Sequence, residues 1–206
     1  MKDRLLIIGA SGHGKVVADI ALKMDKWQNI AFLDDDKSIK ASIGIEVIGT
    51  SEDASKFIVN ADIFVAVGDN ATREKIQEKL EAEGASIPIL IHPVATIGTE
   101  VELGDGTIVM AGAVINSSTT IGKGCIVNTG STLDHDNVIE DYVHISPGAN
   151  LAGNVKVAKG SWIGIGSAVC NNVHITSRCN VGAGAVVVKD ITETGTYVGV
   201  PARILD

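Results

Sequence analysis

From residue 97 onward the chain places an aliphatic side chain at every sixth position. The series is Ile97, Leu103, Val109, Ile115, Ile121, Val127, Leu133, Ile139, Ile145, Leu151, Val157, Ile163, Val169, Ile175, Val181 and Val187. With Ile, Leu and Val at roughly a quarter to a third of positions, chance would give such a run with a probability on the order of one in a hundred million or less, which marks an internal repeat. Six is even, so along strands of period two every marked residue points to the same face. A helix would turn roughly 600 degrees per step and scatter them. Gly, Asn and Asp between the marks ("IGKG", "NTGS", "LGDG") supply corners that tolerate positive φ. Four residues after each mark the side chain is usually small (Thr107, Ala113, Thr119, Cys125, Ser131, Ala149, Ser161, Ser167), as a crowded inner corner requires. The pattern predicts a parallel β-helix with short, regular sides over residues 91–206.

Residues 1–90 have a different rhythm. "RLLIIGASGHGK" reads as a buried strand, a glycine turn and a helix through "VVADIALKM"; "IAFLDDD" and "ADIFVAVGDN" read as two more strands. Asn70 is placed to cap a helix through "ATREKIQEKLEAEG", with Ile76 and Leu80 on one face and Gly84 at its end. Alternation of strands and helices predicts a small Rossmann-like α/β domain. Its glycines, Gly9, Gly12 and Gly14, are spaced GxxGxG, which departs from the dinucleotide fingerprint GxGxxG. A strand, a glycine turn and a helix N-terminus still form a site for an anion or polar ligand, with Asp34 and Asp35 at the neighbouring strand end. The plainer alternative is a tight turn and nothing more.

Composition narrows the ligands. The formal charge is -8, with no basic stripe, which argues against nucleic acid or an anionic membrane as partner. Three cysteines (Cys125, Cys170, Cys179) without a CxxC pair indicate neither a disulfide framework nor a thiolate zinc site; they read as small core residues in a reducing compartment. No apolar run reaches the roughly 18 residues of a membrane span, and no signal peptide is evident, so the expected location is the cytoplasm.

The hexapeptide pattern resembles the left-handed β-helix acyltransferases, in which three hexapeptides make one coil of about 18 residues. The left hand is implied by that resemblance, not by the period. In order, "IIGASGHGK", "FLDD", "VGDN", "IHPVATIG", "HDNVIEDYVHISPGANLAGNV" and "VGVPARI" resemble the NeuD/PglD family of sugar O- and N-acetyltransferases over essentially the whole chain. The resemblance implies a nucleotide-sugar in the N-terminal domain and acetyl-CoA between neighbouring rods of a homotrimer. It implies His135 as general base and Asp136 as the acid orienting it. His144 and Gly153 would lie near the acetyl carbonyl, and Asn128 would line the substrate pocket. Gly12, His13, Asp34 and Asp35 would contact the uridine side. From the residues themselves, the glycine-rich "WIGIGSAV" (Trp162–Val169), with Ile165, lets the pantetheine arm lie close to the backbone, although a turn-rich coil would look the same; Ala183 is a further candidate cofactor contact, and Pro201 and Arg203 would lie near the adenine or phosphates, the plainer reading of that last segment being a cap on the final coil. Asn137 departs from the family, where cysteine is common.

The residues carry their own argument. An amine or hydroxyl attacking a thioester must lose a proton, and imidazole changes charge near neutral pH. His135 sits between Asp134 and Asp136, so a carboxylate can fix its tautomer. A solvated turn histidine is the alternative. Gly153 lies 18 residues on, one coil, where its backbone N–H could aim at an oxyanion. His144 is nine residues on, half a coil, so two histidines serving one pocket would come from different subunits. Its plainer reading is an interface histidine.

The expected activity is acetyl transfer to the 4-amino group of a nucleotide-linked deoxy sugar, most simply a UDP-sugar, without a metal. O-acetylation of sialic acid or a related sugar is the nearest alternative. A β-helical metal hydratase would need His135, His144 and His174 to converge on zinc, and a non-catalytic sugar-binding scaffold is the third possibility.

Overall fold

A computed structural model describes residues 2–205. The chain divides into two compact units, Met1–Pro93 and Val94–Asp206.

In the first unit β1 (Arg4–Ile8) lies between β2 (Asn29–Leu33) and the Asp62–Val65 strand, all parallel. Helices α1 (Gly12–Met24) and α2 (Asn70–Ala82) follow the first and third of these strands. Arg4–Ile8 and Asp62–Val65 are buried over nearly their whole length, because a parallel sheet is covered on both faces, and this is why they read as unbroken apolar runs. Leu6, Ile8, Leu33, Ile63, Val65 and Leu80 form one core cluster. The N-cap of α2 is Asp69, which accepts the Thr72 N–H; Asn70, expected in that role, is the first helical residue and accepts a hydrogen bond from Arg73. Either residue type can cap, and the side chain with the extended backbone does.

The second unit is a three-sided rod. Its first face stacks Thr96–Ile97, Val114–Ile115, Thr132–Leu133, Asn150–Leu151, Ala168–Val169 and Val186–Val187, each parallel to the next and 18 residues apart. The second face runs from Glu102–Leu103 to His174–Ile175. The third includes Ile108–Val109, Ile126–Val127, His144–Ile145, Trp162–Ile163 and Asn180–Val181, and ends in Thr196–Val198 with Arg203–Ile204 antiparallel to it. From Val109 to Val187 every marked aliphatic is at most 3% exposed; only Ile97 and Leu103, in the first coil, are more open. Among the described residues of the rod, φ is positive at every sixth position from Glu100 to Gly184, three residues after each inward aliphatic. Eight of these fifteen corners are glycine, the residue that turns there without steric cost. Asp136 is one of the others, with φ 59°. Cys125 and Cys179 are buried as expected, whereas Cys170 is exposed: it falls one residue after an inward mark and points outward.

Candidate active site

Strand Thr132–Leu133 ends at a corner between the first and second faces, and His135 and Asp136 form its outward bend. His135 Nδ1 lies 2.7 Å from Asp136 Oδ2. A carboxylate only accepts, so Nδ1 carries the proton and the neutral ring leaves its Nε2 lone pair free. Asp134 accepts from the His135 backbone N–H at 2.9 Å and from Asn116 Nδ2 at 3.0 Å. The hydrogen bond to Asp136, followed by the charge of Asp134, raises the His135 pKa above the ordinary imidazole value.

One coil on, Gly153 stacks against this ring. A methyl group at position 153 would stand 2.6 Å from His135 Cε1 and 2.7 Å from Nε2, closer than carbon atoms approach. Glycine is therefore what lets the imidazole lie against the next coil. On either side of the corner the outer surfaces of the first and second faces are shallow grooves of about 560 and 440 Å³. Asn116, Asp134, Asn150 and Cys170 line one, and Glu140, Lys156, His174 and Asp190 the other.

His144 stands on the third face, away from this corner, and is 6% exposed. It packs on Trp162, one coil above, with ring centroids 4.0 Å apart. Asn128 Oδ1 accepts the Thr129 N–H at 2.8 Å, which turns the Asn128 amide nitrogen toward His144 Nε2, 3.0 Å away. Nε2 thus accepts, and the proton of the neutral ring sits on Nδ1. His174 is on the second face. The three imidazoles of the hydratase reading are thus divided between one corner and two faces, and no group of three or more His, Cys, Asp or Glu among the described residues is placed to hold a metal ion.

Ile165 is 61% exposed at the corner after Trp162–Ile163, and Ala183 is exposed at the same corner one coil later. Pro201 follows a cis peptide bond and is exposed, as is Arg203, whose guanidinium donates to the Ala202 carbonyl.

In the first unit the strand order puts the middle strand first in sequence, so the chain leaves β1 to either side and opens a crevice at the carboxyl ends of the strands. A hollow of about 280 Å³ lies there, lined by Gly9, Ser11, Asp34, Asp35, Gly68 and Thr72. Gly9 has φ 101°, and a Cβ on Gly14 would fall 1.9 Å from the Gly9 carbonyl, so these two glycines serve the turn itself. Gly12 has no such duty: a Cβ there would meet nothing within 4 Å. Asp34 accepts from the Ala10 and Asp36 N–H groups, and Asp35 from the N–H and hydroxyl of Ser51. Both carboxylates hold the loops in place, with lone pairs left over for a ligand. His13, second in α1, has a buried Nε2 with no hydrogen-bond partner; burial, with Arg73 nearby, lowers its pKa to about 4.

Sequence reasoning missed two features of the rod. The His144–Trp162 stack was open to coil arithmetic, since 144 and 162 differ by 18. Asn137 carried a visible signal too: an amide at an inner corner slot otherwise filled by small or apolar side chains.

Comparison with known proteins follows the same division. A model of the PglD N-terminal domain matches residues 4–80, and one of the bacterial transferase hexapeptide (six repeats) matches residues 100–135. The acetyltransferase domain of PglB from Neisseria gonorrhoeae FA1090 superposes with a TM-score of 0.97 at 41% identity, over 99% of this chain and 100% of that one; it has also been solved in complex with acetyl coenzyme A. A variant of perosamine N-acetyltransferase from Caulobacter crescentus, in complex with CoA and GDP-perosamine, gives 0.94 at 36% identity over 98% of this chain and 96% of that one. UDP-N-acetylbacillosamine N-acetyltransferase from Bacillus subtilis (strain 168) is 36% identical over 110 residues, which span 51% of this chain and 50% of that protein. A rod wound the opposite way could not superpose at such scores, so this coil has the hand of those transferases.

Proposed function

Because the chain belongs to the NeuD/PglD family of hexapeptide-rod sugar acetyltransferases, we propose that it moves the acetyl group of acetyl-CoA to the 4-amino group of a nucleotide-linked deoxy sugar. The observation that carries this reading is the His135 ring, with Nδ1 on Asp136 and Nε2 lying free against Gly153.

In this reading the neutral sugar amine attacks the thioester carbonyl carbon while Nε2 takes its proton. The tetrahedral oxyanion forms beside the Gly153 backbone, where an N–H can stabilise it. The carbon–sulfur bond then breaks, the thiolate leaves, and the imidazolium returns a proton to it. Asp136 holds Nδ1 and stabilises the imidazolium between these steps. Asn128, His144, Gly153, Ile165, Ala183, Pro201 and Arg203 keep the roles stated above, on the donor side or in the pocket wall. Gly12, His13, Asp34 and Asp35 would hold the nucleotide in the crevice of the first unit, with the bare helix start at Gly12 facing the anion.

His135 and His144 occupy a corner and a distant face of one rod, so a pocket using both draws on two protomers. This geometry supports the reading of a homotrimer whose sites are shared between neighbouring rods. No described helix is long and apolar enough to cross a membrane. The use of acetyl-CoA as donor supports a cytoplasmic enzyme.

Relatives differ in the nucleotide their names carry, UDP in one and GDP in another. The test is to offer acetyl-CoA with UDP-, dTDP- and GDP-linked 4-amino sugars and with free sialic acid, and to follow thiol release and the mass of the sugar product. A gain of one acetyl on nitrogen with one nucleotide series supports the reading. Transfer to sialic acid alone would replace it with O-acetylation, and no thiol release with any acceptor would leave a binding scaffold.

A further inference from the structure

Asn137 is fully buried one residue beyond the His135–Asp136 bend, in the inner corner slot. Elsewhere in the rod the hydroxyl side chains of that slot do one of two jobs. Thr107, Thr119 and Ser161 link coils: each hydroxyl donates to a carbonyl 15 residues on and accepts an N–H 18 residues on. Ser131 and Ser167 instead close their own corner by donating to the carbonyl three residues back.

Asn137 does both with full hydrogen bonds to nitrogen and oxygen. Its Nδ2 donates to the Asp134 carbonyl, across the bend that carries His135 and Asp136. The same nitrogen donates to the Ala152 carbonyl at 3.1 Å, and Oδ1 accepts the Val155 N–H at 3.0 Å. Those two groups bracket Gly153, the residue under the imidazole. One buried amide therefore ties the two ends of the histidine bend to each other and to both ends of the glycine bend. A single hydroxyl or thiol has one proton and could not donate to both carbonyls at once.

We infer that Asn137 is a positioning residue for this reaction. It sets the spacing between the His135 bend and the Gly153 bend, and with it where Nε2 stands and how firmly Nδ1 meets Asp136. Its side chain faces the rod interior and touches no substrate. The inference rests on His135 being the base, and displacement of a reacting group by about an ångström can cost on the order of a hundredfold in rate.

The experiment compares His135→Ala, Asn137→Ala and Asn137→Ser in the enzyme carrying both units. It measures kcat, KM for both substrates, the pH dependence of kcat/KM, melting temperature, and the His135 titration by NMR. Asn137→Ala is expected to lower kcat about tenfold or more, with both KM values within about threefold and the His135 titration midpoint moved down as its bond to Asp136 loosens. Asn137→Ser, which keeps one link, should recover part of the loss. A normal kcat and an unmoved titration in Asn137→Ala, beside an inactive His135→Ala, would overturn the positioning role alone. Near-normal turnover in His135→Ala would instead bring down the base assignment and this inference with it. Failure of both Asn137 variants to fold would also overturn it, by making the residue a structural one.

Discussion

His13 and His135 are the same side chain set in two regions that treat charge in opposite ways. At the start of α1 His13 is turned inward: its Nε2 is buried without a partner, and burial with Arg73 nearby pulls its pKa to about 4. At the rod corner His135 is turned outward, 61% exposed, and Asp136 with Asp134 beside it holds its pKa above the ordinary value. The first ring is kept neutral by lost solvation, the second is kept basic by carboxylates. The contrast shows why only one can move protons near neutral pH. A ring that ionises near pH 4 is a weak base at pH 7, whereas the corner ring is held a stronger base than ordinary imidazole by its carboxylates and offers a free nitrogen to solvent.

The largest effect should come from removing that ring. His135→Ala is expected to lower kcat at least a hundredfold while leaving the oligomer intact, checked by steady-state thiol release and by mass in solution. Near-normal turnover would erase the contrast.

Gly153→Ala comes next. The new methyl cannot share space with the imidazole, and the exposed ring can swing aside, so melting should change by only a few degrees while kcat falls some tens of fold. A large loss of stability with kcat preserved would mean that the ring was never held there.

Asp136→Asn sharpens the electrostatic half. Asparagine tolerates the left-handed corner, so the substitution isolates the charge. With the main cause of its raised pKa gone, His135 should titrate at lower pH, moving the rising limb of kcat/KM down. Turnover should fall about tenfold, and less than for a buried dyad, because the two side chains are 61% and 59% exposed and water can substitute in part. An unmoved limb would assign the raised pKa to Asp134.

The smallest effect tests the buried ring. His13 has a folded pKa depressed from 6.5 to about 4, so between those values the unfolded chain binds the extra proton and stability falls as pH falls. From pH 7 to 5.5 the loss should be about 1 kcal/mol. Urea melts at those pH values, with His13→Asn as control, should show a flatter dependence in the variant.

Much of the rod is legible in the sequence because each position repeats its job every coil. The six-residue series places the inward aliphatics, eight of the fifteen positive-φ corners fall on glycine, and adding 18 to 135 finds Gly153. The α/β unit is legible only as an order of strands and helices. Asp34 and Asp35 read as ligand contacts, yet their carboxylates first hold Ala10, Asp36 and Ser51, partners that no local pattern announces.

By itself, then, the sequence determined the rod's period, the register of its coils and the placing of one histidine among carboxylates, since these depend on neighbours in the chain or at a constant spacing. Tertiary structure alone decided that His13 would bury its Nε2 near Arg73, that Asn128 would orient His144 against Trp162, and that Asn137 would join two bends. Those outcomes turn on which donors and acceptors meet across folded layers, and on how much water is left beside them.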